Sequence, residues 1–261
     1  MTLSESDGLR VQRAGNGPAV LWIHGYTMRS DIWAPSWREL PGWTHIGVDL
    51  PWHGESRPAR PGEDLASLAD TLAVLASELG VRHVVALSFG TIVAVEMALR
   101  HPDSFSSLVL SGPALAGMSH GPGVEARYRQ LARLFAERGP GSHMTRLWMS
   151  SPPEIFAGVQ RRPEALAWVE PIIARHSWDE LSDGGMRRFV GSPQHAADLA
   201  SVRSRIRILM GERDLLHSRA CARSIGAAAT NVAVLEVPGG GHLAPLEDPA
   251  GFAALARAGL E

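Results

Sequence analysis

The sequence predicts an α/β protein: a mostly parallel central sheet with helices on both faces and a helical lid insertion. Short apolar runs alternate with amphipathic stretches along most of the chain, as in a parallel sheet that is covered by helices. The runs are mostly continuous rather than alternating, which is typical of strands buried on both faces. This rhythm stops between residues 113 and 200, where helical patterns dominate, so we expect the lid there.

Six apolar runs are the expected strands: Ala19–Ile23, Ile46–Leu50, Val84–Leu87, Leu108–Leu110, Ile206–Met210 and Val232–Val237. Leucines at helical spacing over Leu65–Leu79 predict a helix, with Asp64 as its cap and Gly80 just beyond its end. A second helix is expected over about Phe89–Arg100, where apolar side chains circle the helix and predict a buried, central position.

The middle of the chain shows no convincing strand pattern. Two stretches follow helical spacing, one from Val124 to Phe135 and one over Glu164–Arg175. A length of 261 residues fits one large domain that carries an insertion. We therefore predict a single domain with a core and a lid, which are residues 1–112 with 201–261 and residues 113–200.

Charge and hydropathy limit the partners that we expect. The formal net charge is −2, whereas nucleic-acid and anionic-membrane surfaces normally carry a strong basic excess. No apolar run approaches the ~20 residues that span a bilayer, and residues 1–10 lack the features of a secretory signal. We expect a cytoplasmic protein that acts on a small molecule and binds neither nucleic acid nor membrane. The sequence indicates no oligomeric state.

Two residue types are nearly or wholly missing. All 25 basic residues are arginine, which excludes a P-loop lysine, a pyridoxal Schiff base and a lysine nucleophile. The single cysteine, Cys221, excludes an intrachain disulfide, a cysteine zinc site and a Cys-x-x-Cys redox pair. No His-Glu-x-x-His spacing occurs either. We therefore expect no metal and no organic cofactor.

A small-x-Ser-x-Gly motif occurs twice, and its surroundings decide between the two serines. Gly117–Gly121, with Ser119, matches Gly-x-Ser-x-Gly more literally, but no strand precedes it and Gly-Pro-Gly ends it. Ala86–Gly90 places Ser88 directly after an expected strand and before the buried helix. The motif works at such a strand–turn–helix junction, which holds the serine strained and exposed. Ser88 is therefore the candidate nucleophile, with a helix cap that performs no chemistry as the alternative.

A serine nucleophile needs a base, and the base needs an acid that orients it. Among eleven histidines, His242 follows the last expected strand and three glycines, in a loop that can bring an imidazole over the carboxyl edge of the sheet. Asp214 follows the preceding strand and is the candidate acid, with Glu212 as a neighbour that could substitute. The chain order Ser88, Asp214, His242 is the order associated with this type of sheet.

These motifs resemble those of the α/β-hydrolase superfamily, over Ala19–Gly112 and Ile206–Leu260. The segments that carry the resemblance are Ile23-His24-Gly25-Tyr26, Asp49-Leu50-Pro51-Trp52-His53-Gly54-Glu55-Ser56, Ala86-Leu87-Ser88-Phe89-Gly90, Gly211-Glu212-Arg213-Asp214 and Gly241-His242 with Leu246-Glu247-Asp248-Pro249. Trp52 stands where the superfamily usually has a small residue. The resemblance implies the fold and a hydrolase site, but not the substrate, because the superfamily hosts many chemistries.

The resemblance also implies a role for each matched residue. Ser88 attacks the substrate, His242 moves the proton, and Asp214 orients the imidazole and balances its charge. The backbone N–H groups of Tyr26 and Phe89 form the oxyanion hole, where two donors meet the developing negative charge.

Several other side chains receive an expectation from their position. His24 and His53 belong to the matched motifs and are expected to brace their loops. His120 and His176, which fall in the lid, are expected to be structural. Large apolar residues of the lid are candidates for the wall of a substrate pocket. The pocket candidates are Trp148, Met149, Phe156 and Trp168.

The leading hypothesis is a cofactor-independent serine hydrolase. Its substrate would be a carboxylic ester, or a thioester, with a small to medium and largely apolar acyl or aromatic group. The alternative is C–C bond hydrolysis or lysis, because Arg146–Gln160 loosely resembles the lid of menaquinone-pathway lyases on this fold. Those relatives carry an arginine shortly after the nucleophile, where this chain has Thr91, Ile92 and Val93. A third hypothesis is a binding protein without activity, which the filled triad positions disfavour.

Overall fold

The computed structural model describes residues 2–182 and 184–261, with side chains from residue 5 onward. Its strands belong to one eight-stranded sheet. They are β1 (Thr2–Ser6), β2 (Leu9–Gly15), β3 (Ala19–Ile23), β4 (Thr44–Val48), β5 (Val81–Leu87), β6 (Ser107–Ser111), β7 (Arg205–Gly211) and β8 (Val232–Val237).

The strand order is β1-β2-β4-β3-β5-β6-β7-β8. From β4 onward in this order all neighbours are parallel, whereas β1 pairs antiparallel with β2, and β2 pairs antiparallel with β4. The predicted α/β class with a mostly parallel sheet is therefore confirmed. Each predicted apolar run overlaps a strand, and β4 begins and ends two residues before the run Ile46–Leu50.

The first two strands, β1 and β2, were not predicted from the sequence. Their register places Ser6 opposite Leu9, so that Asp7 and Gly8 form a two-residue hairpin turn, and both have positive φ angles, 54° and 74°. Such a turn matches the twist of the flanking strands, and Asp-Gly is a strong signal for it. An edge hairpin of this kind carries only a short apolar alternation, here Leu9 and Val11, which is weaker than a buried strand's continuous run.

Eleven α-helices are found in the part of the chain that the structure describes. They are α1 (Ala34–Arg38), α2 (Leu65–Glu78), α3 (Phe89–Arg100), α4 (Pro122–Arg138), α5 (Ser142–Met149), α6 (Ala157–Gln160), α7 (Pro163–Ala174), α8 (Gly185–Val190), α9 (Leu216–Ala228), α10 (Ala244–Glu247) and α11 (Pro249–Leu260).

Helices α2 and α3 lie where they were predicted, and a local sequence signal explains where α2 begins. The Asp64 side chain accepts a hydrogen bond from the Ser67 N–H, and the Ser67 hydroxyl accepts one from the Asp64 N–H, both at 2.9 Å. This reciprocal pair satisfies two backbone donors at the start of α2. Helix α3 has the predicted bounds and is buried on nearly all sides, because it packs against β3, β5 and α2. Its first residue therefore lies at the centre of the sheet's carboxyl edge.

Helices α4 to α8, residues 122–190, come between β6 and β7 in the chain, and we call them the helical block. Within residues 113–182 and 184–200 the structure contains no strand. Helices of the helical block contact the core. Helix α7 packs against the 3₁₀ turn Ser30–Trp33, and α6 packs against α10. The division into residues 1–112 with 201–261 and residues 113–200 stays a prediction. Across the described residues, the helices are too short or too polar to cross a membrane.

Candidate active site

Ser88 occupies a strained turn between β5 and α3. Its φ and ψ angles are 51° and −118°, a region that non-glycine residues rarely adopt and that is found at functional sites. A glycine two residues later makes the turn possible, because a Cβ on Gly90 would lie 2.6 Å from the carbonyl oxygens of Ile23 and His24. The Thr91 hydroxyl donates to the Ser88 carbonyl at 2.6 Å and holds the turn closed.

The three candidate triad residues form one hydrogen-bonded chain. His242 Nε2 lies 2.9 Å from Ser88 Oγ, and His242 Nδ1 lies 2.7 Å from Asp214 Oδ1. Asp214 and His242 are buried, while Ser88 is partly exposed. The Leu215 N–H also donates to Asp214 Oδ1, at 2.7 Å, and fixes the carboxylate. With Nδ1–H donating to Asp214, Nε2 presents its lone pair to the serine hydroxyl, as a general base requires.

Two loops at the carboxyl edge of the sheet bring the acid and the base together. Asp214 follows β7 and His242 follows β8, which is the neighbouring strand. Glycines allow the loops to touch, since a Cβ on Gly211 would lie 2.1 Å from the Gly241 carbonyl oxygen. Buried Glu247 accepts a hydrogen bond from the Gly241 N–H at 2.7 Å and therefore fixes the backbone next to His242.

The rejected alternatives lie apart from this chain of hydrogen bonds. Glu212 is exposed and accepts a hydrogen bond from the Gly239 N–H at 2.8 Å. Ser119 is also exposed, and its hydroxyl donates to Glu125 Oε1 at 2.7 Å. Ser119 therefore sits in an open turn before α4, which begins at Pro122. No strand leads directly into this turn, since β6 ends at Ser111, so the strand–helix junction that Ser88 has is missing.

The expected oxyanion donors border the same space as Ser88. Phe89 is the first residue of α3, so its N–H has no acceptor within the helix. Tyr26 lies in the turn after β3, and its neighbour Gly25 is close enough that a Cβ there would lie 3.4 Å from Ser88 Cβ. Gly25, Tyr26, Ser88 and Phe89 all line one cavity. The positive end of the α3 dipole adds to the attraction for a negative charge there.

His24 and His53 hold the loops around the turn after β3. His24 Nε2 accepts a hydrogen bond from the Leu50 N–H at 3.0 Å, and His53 Nε2 accepts one from the Thr27 N–H at 3.1 Å. Both imidazoles are completely buried. Burial lowers the pKa of His24, and burial together with His176 and His24 lowers the pKa of His53 well below its usual value. They act as neutral acceptors, in agreement with the expected bracing role.

A cavity of about 750 Å³ opens above Ser88. This volume is within the range of small-molecule sites, which bury most of a bound ligand. The helical block supplies one wall of the cavity, chiefly from α4 and α8, with Trp148 of α5 and two residues of the short 3₁₀ turn Glu154–Phe156. The large apolar residues of that wall are Val124, Tyr128, Trp148, Ile155, Phe156 and Met186. The charged side chains at the cavity are Glu125, Arg129, Glu180 and Arg187.

Two of the four predicted pocket residues are wrong. Trp148 and Phe156 line the cavity, but Met149 and Trp168 do not. Trp168 is 38% exposed, because α7 buries its other face through Val169 and Ile172. Met149 is buried at the end of α5, one residue past Trp148 and therefore on a different face of the helix.

Several residues line the cavity although the sequence did not predict them there. Glu180 and Tyr128 line it, although neither belongs to a recognisable catalytic motif. His120 and His217 also line it, with ring centroids 4.9 Å apart, and the ring of His217 lies 6.1 Å from that of His242. Burial and the two neighbouring imidazoles lower the pKa of His217 to about 3, so that His217 is neutral near pH 7. Tyr128 lies on α4 and His217 on α9, whereas His120 precedes α4 and Glu180 lies in the turn Asp179–Leu181. They share only their position beside the cavity, which local patterns do not reveal.

The side chains of this site do not resemble a metal centre. Within the described ranges, no three His, Cys, Asp or Glu residues are grouped as metal ligands would be. The arrangement is instead a serine hydroxyl, an imidazole and a carboxylate in one hydrogen-bonded chain beside an apolar cavity. Such a site is suited to acyl transfer.

The family of the chain follows from comparison with known proteins. A family model described as the alpha/beta hydrolase family matches residues 20–255. The protein therefore belongs to the alpha/beta hydrolase family. Its motifs, its sheet and the matched model agree on this assignment.

Curated relatives match shorter stretches. A pimeloyl-[acyl-carrier protein] methyl ester esterase of Chromobacterium violaceum is 38% identical over 104 residues, which are 39% of this chain and 39% of that protein. One from Aeromonas salmonicida is 33% identical over 119 residues, or 44% of this chain and 46% of that protein. A dihydrolipoyllysine-residue acetyltransferase component of an acetoin cleaving system, from Cupriavidus necator, is 35% identical over 116 residues, 42% and 31% of the two chains. The chain thus spans less than half the length of each of these relatives.

Solved structures match the whole chain at low identity. A thermophilic esterase from Thermogutta terrifontis superimposes with a TM-score of 0.76 at 23% identity, covering 97% of this chain and 92% of that one. MenH from S. aureus superimposes with a TM-score of 0.82 at 17% identity, covering 96% and 97% of the two chains. These similarities show a shared fold.

Proposed function

We propose that the protein is a cofactor-independent serine hydrolase that cleaves a carboxylic ester by way of an acyl-enzyme. The observation that carries the proposal is the hydrogen-bonded chain from Asp214 through His242 to Ser88 Oγ, which ends at an apolar cavity. A serine hydroxyl is a poor nucleophile by itself, and the His242 imidazole, 2.9 Å away, is placed to act as the base that it needs.

In the first half of the reaction, Ser88 Oγ attacks the carbonyl carbon of the ester while His242 Nε2 takes the hydroxyl proton. The carbonyl oxygen becomes an oxyanion and accepts hydrogen bonds from the Tyr26 and Phe89 N–H groups. Two such donors each contribute roughly 3 kcal/mol in comparable sites. The tetrahedral intermediate then collapses, the bond to the leaving alkoxide breaks, and the imidazolium returns the proton to that oxygen.

In the second half, a water molecule takes the place of the alcohol. His242 removes a proton from the water, the resulting hydroxide attacks the acyl carbon, and the bond to Ser88 Oγ breaks. The proton returns to the serine, and the carboxylic acid leaves. Asp214 stays ionised throughout and stabilises the imidazolium that forms twice in each cycle.

The cavity supports an apolar acyl or aromatic group as the recognised part of the substrate. Its walls carry aromatic and aliphatic side chains, among them Trp148, Ile155 and Phe156. The relatives from Aeromonas salmonicida and Chromobacterium violaceum are named as esterases of a methyl ester of pimeloyl-[acyl-carrier protein], which is an ester of an acyl group. We propose an ester with a medium-length acyl chain, and a thioester is open to the same chemistry because the same groups act on either acyl bond.

The C–C bond alternative has less support. Its family relatives carry an arginine shortly after the nucleophile, and the corresponding residues here, Thr91, Ile92 and Val93, are buried inside α3. These positions therefore supply no arginine to the cavity. We therefore keep the ester as the proposed bond.

A chain-length series tests the proposal. We expect turnover of p-nitrophenyl esters, with kcat/KM rising from acetate to the medium-chain acyl groups that fill the cavity, and loss of that turnover in Ser88→Ala. Acyl thioesters of the same lengths are measured in parallel to rank the two bonds. Activity that is confined to a carbon-acid substrate would contradict the proposal, as would substrate binding without turnover.

A further inference from the structure

The helical block touches the oxyanion turn, Gly25–Thr27, at two points that the catalytic mechanism does not require. The Tyr26 hydroxyl donates a hydrogen bond of 2.5 Å to Glu180 Oε1, 154 residues away in the chain. The Trp148 indole N–H donates to Thr27 Oγ1 at 2.7 Å. Glu180 lies in the short 3₁₀ turn Asp179–Leu181 and Trp148 lies in α5, so both anchors come from the segment between β6 and β7.

The backbone of the oxyanion turn is strained. Thr27 has a φ angle of 63°, which is a genuine outlier for a β-branched residue. Such a conformation persists only where the surroundings over-determine it. Within the core, the Thr27 N–H donates to His53 Nε2 at 3.1 Å and the Thr27 hydroxyl donates to the Tyr26 carbonyl at 2.6 Å. The anchors from the helical block add to these two bonds.

The Glu180 carboxylate lies where removing it from water costs free energy. The side chain is completely buried, and its Oε1 also lies 3.1 Å from His176 Nε2. Its Oε2 has no hydrogen-bond partner among the residues that the structure describes. A buried carboxylate costs solvation energy that its partners seldom return, so a buried ion pair is weak evidence for a stabilising role. The carboxylate is better explained by what it holds, and it holds the Tyr26 phenol.

The Tyr26 ring fixes the backbone from which it extends. The ring packs edge-on against Tyr128, Trp148 and Trp178, at centroid distances of 5.6, 5.4 and 6.3 Å. Burial and the Glu180 carboxylate raise the pKa of the Tyr26 phenol well above its usual value, so the phenol remains a donor. With the ring packed and its hydroxyl bonded, the side chain limits how far the Tyr26 N–H can turn.

We propose that Glu180 is a positioning residue, which holds the Tyr26 N–H in the direction of the oxyanion through the Tyr26 hydroxyl. The helical block thereby completes the catalytic site as well as forming the substrate cavity. This proposal rests on the proposed hydrolase function and on Tyr26 as an oxyanion donor. It adds a residue outside the triad whose effect falls on the transition state more than on substrate binding.

The test compares Glu180→Ala, Glu180→Gln and Tyr26→Phe with the matched control Glu170→Gln, which changes an exposed glutamate of α7. For each we measure kcat and KM on the best ester, and the inhibition constant of an alkyl trifluoromethyl ketone. The ketone forms a tetrahedral adduct with the serine and places an oxyanion in the hole, so it reports the same donors as the transition state.

We expect Glu180→Ala and Tyr26→Phe each to lower kcat about 10- to 100-fold, less than the roughly 10²- to 10³-fold loss when a donor is removed outright. The inhibition constant should rise by the same factor, with KM changing less than about threefold, because uniform binding is intact. Glu180→Gln keeps an acceptor for the phenol and should restore most of kcat. The double variant Glu180→Ala with Tyr26→Phe should be no worse than either single variant, since both remove one bond.

Other outcomes overturn the proposal. A rise in KM with unchanged kcat and ketone inhibition would make Glu180 a cavity wall. Equal losses in Glu180→Gln and Glu180→Ala would assign the effect to the charge, and additive losses with Tyr26→Phe would show two independent roles. If Glu180→Ala does not fold, Tyr26→Phe and Glu180→Gln carry the same test. A wild-type protein that hydrolyses no ester would instead remove the proposed function, which distinguishes the two failures.

Discussion

The carboxyl edge of the sheet and the helical block build the candidate site in different ways. At the sheet edge, the candidate nucleophile, acid and base each follow a strand within a few residues, so their positions are set by strand pairing. In the helical block, the side chains that face the cavity come from separate helices with irregular connections. The comparison indicates that the sheet edge supplies the candidate reacting groups, while the helices supply the cavity wall and, by our inference, the anchor of the oxyanion turn.

The largest expected effect separates the two serine motifs, one at the sheet edge and one before the helical block. Ser88→Ala should lower kcat for the best ester by roughly 10⁴- to 10⁶-fold, because the nucleophile is lost. Ser119→Ala should keep full activity, since the Ser119 hydroxyl bonds Glu125 and the Gly121 N–H in an exposed turn away from the triad. Steady-state kinetics of the two variants measures the contrast. Equal losses in both would show that the motif's strand–helix context does not decide its role.

The next effect separates two acids of one loop. Asp214→Asn should reduce kcat by about 10³- to 10⁴-fold, because an amide no longer stabilises the imidazolium and favours the wrong tautomer of His242. Glu212→Gln should stay within about threefold of the wild type, because an exposed side chain that bonds only backbone contributes little. The pair is compared on the same ester. A severe loss in Glu212→Gln with mild loss in Asp214→Asn would reverse the assignment.

A smaller effect tests the cavity wall in the helical block. Phe156→Leu removes aromatic contact area from the cavity and should lower kcat/KM for medium-chain esters about threefold to tenfold, with less change for the acetate. Trp168→Leu is the matched control, because Trp168 projects from the outer face of α7. The chain-length profile of each variant is the measurement. A profile altered by Trp168→Leu but not by Phe156→Leu would place the acyl chain elsewhere.

The smallest effect concerns stability in mild acid. His24 and His53 are buried and neutral with a lowered pKa, whereas in the unfolded chain they bind a proton below about pH 6.5. The unfolded state then holds more protons, so stability falls as pH falls below that value, by at most about 1.4 kcal/mol per pH unit for each histidine.

Thermal unfolding between pH 7.5 and 5 measures this dependence. His53→Gln should make the decrease in Tm shallower, because one neutral buried imidazole is gone. His195→Gln, which changes an exposed histidine after the helical block, should leave the slope unchanged. A Tm that does not change over this range would contradict the expected link to the buried histidines.

The same comparison explains what the sequence could predict. Ser88, Asp214 and His242 stand just after apolar runs, and parallel strands end at one edge, so their meeting follows from the pattern. The residues of the helical block carry no such signal. Helical spacing shows that α7 has an apolar face but not which neighbour it meets, and therefore Trp168 was wrongly expected in the cavity. Glu180 was missed because its partner Tyr26 lies 154 residues away.

The hairpin of β1 and β2 was missed for a different reason. Its signal was present, since Asp7-Gly8 is a favoured two-residue turn, but neither flanking strand carries a continuous apolar run. Buried strands can be predicted from their apolar runs. The position of this hairpin is instead fixed by the backbone pairing of β2 with β4. Sequence patterns therefore describe β3 to β8 better than the hairpin of β1 and β2.

Covalent labelling directly tests whether Ser88 carries the activated hydroxyl. The purified wild-type protein is treated with a fluorophosphonate, digested, and its modified peptide identified by mass spectrometry. We expect one adduct, on Ser88, which disappears in Ser88→Ala and is retained in Ser119→Ala. A protein that resists the reagent, or an adduct that maps to another residue, would contradict the claim that the imidazole of His242 activates the hydroxyl above β5.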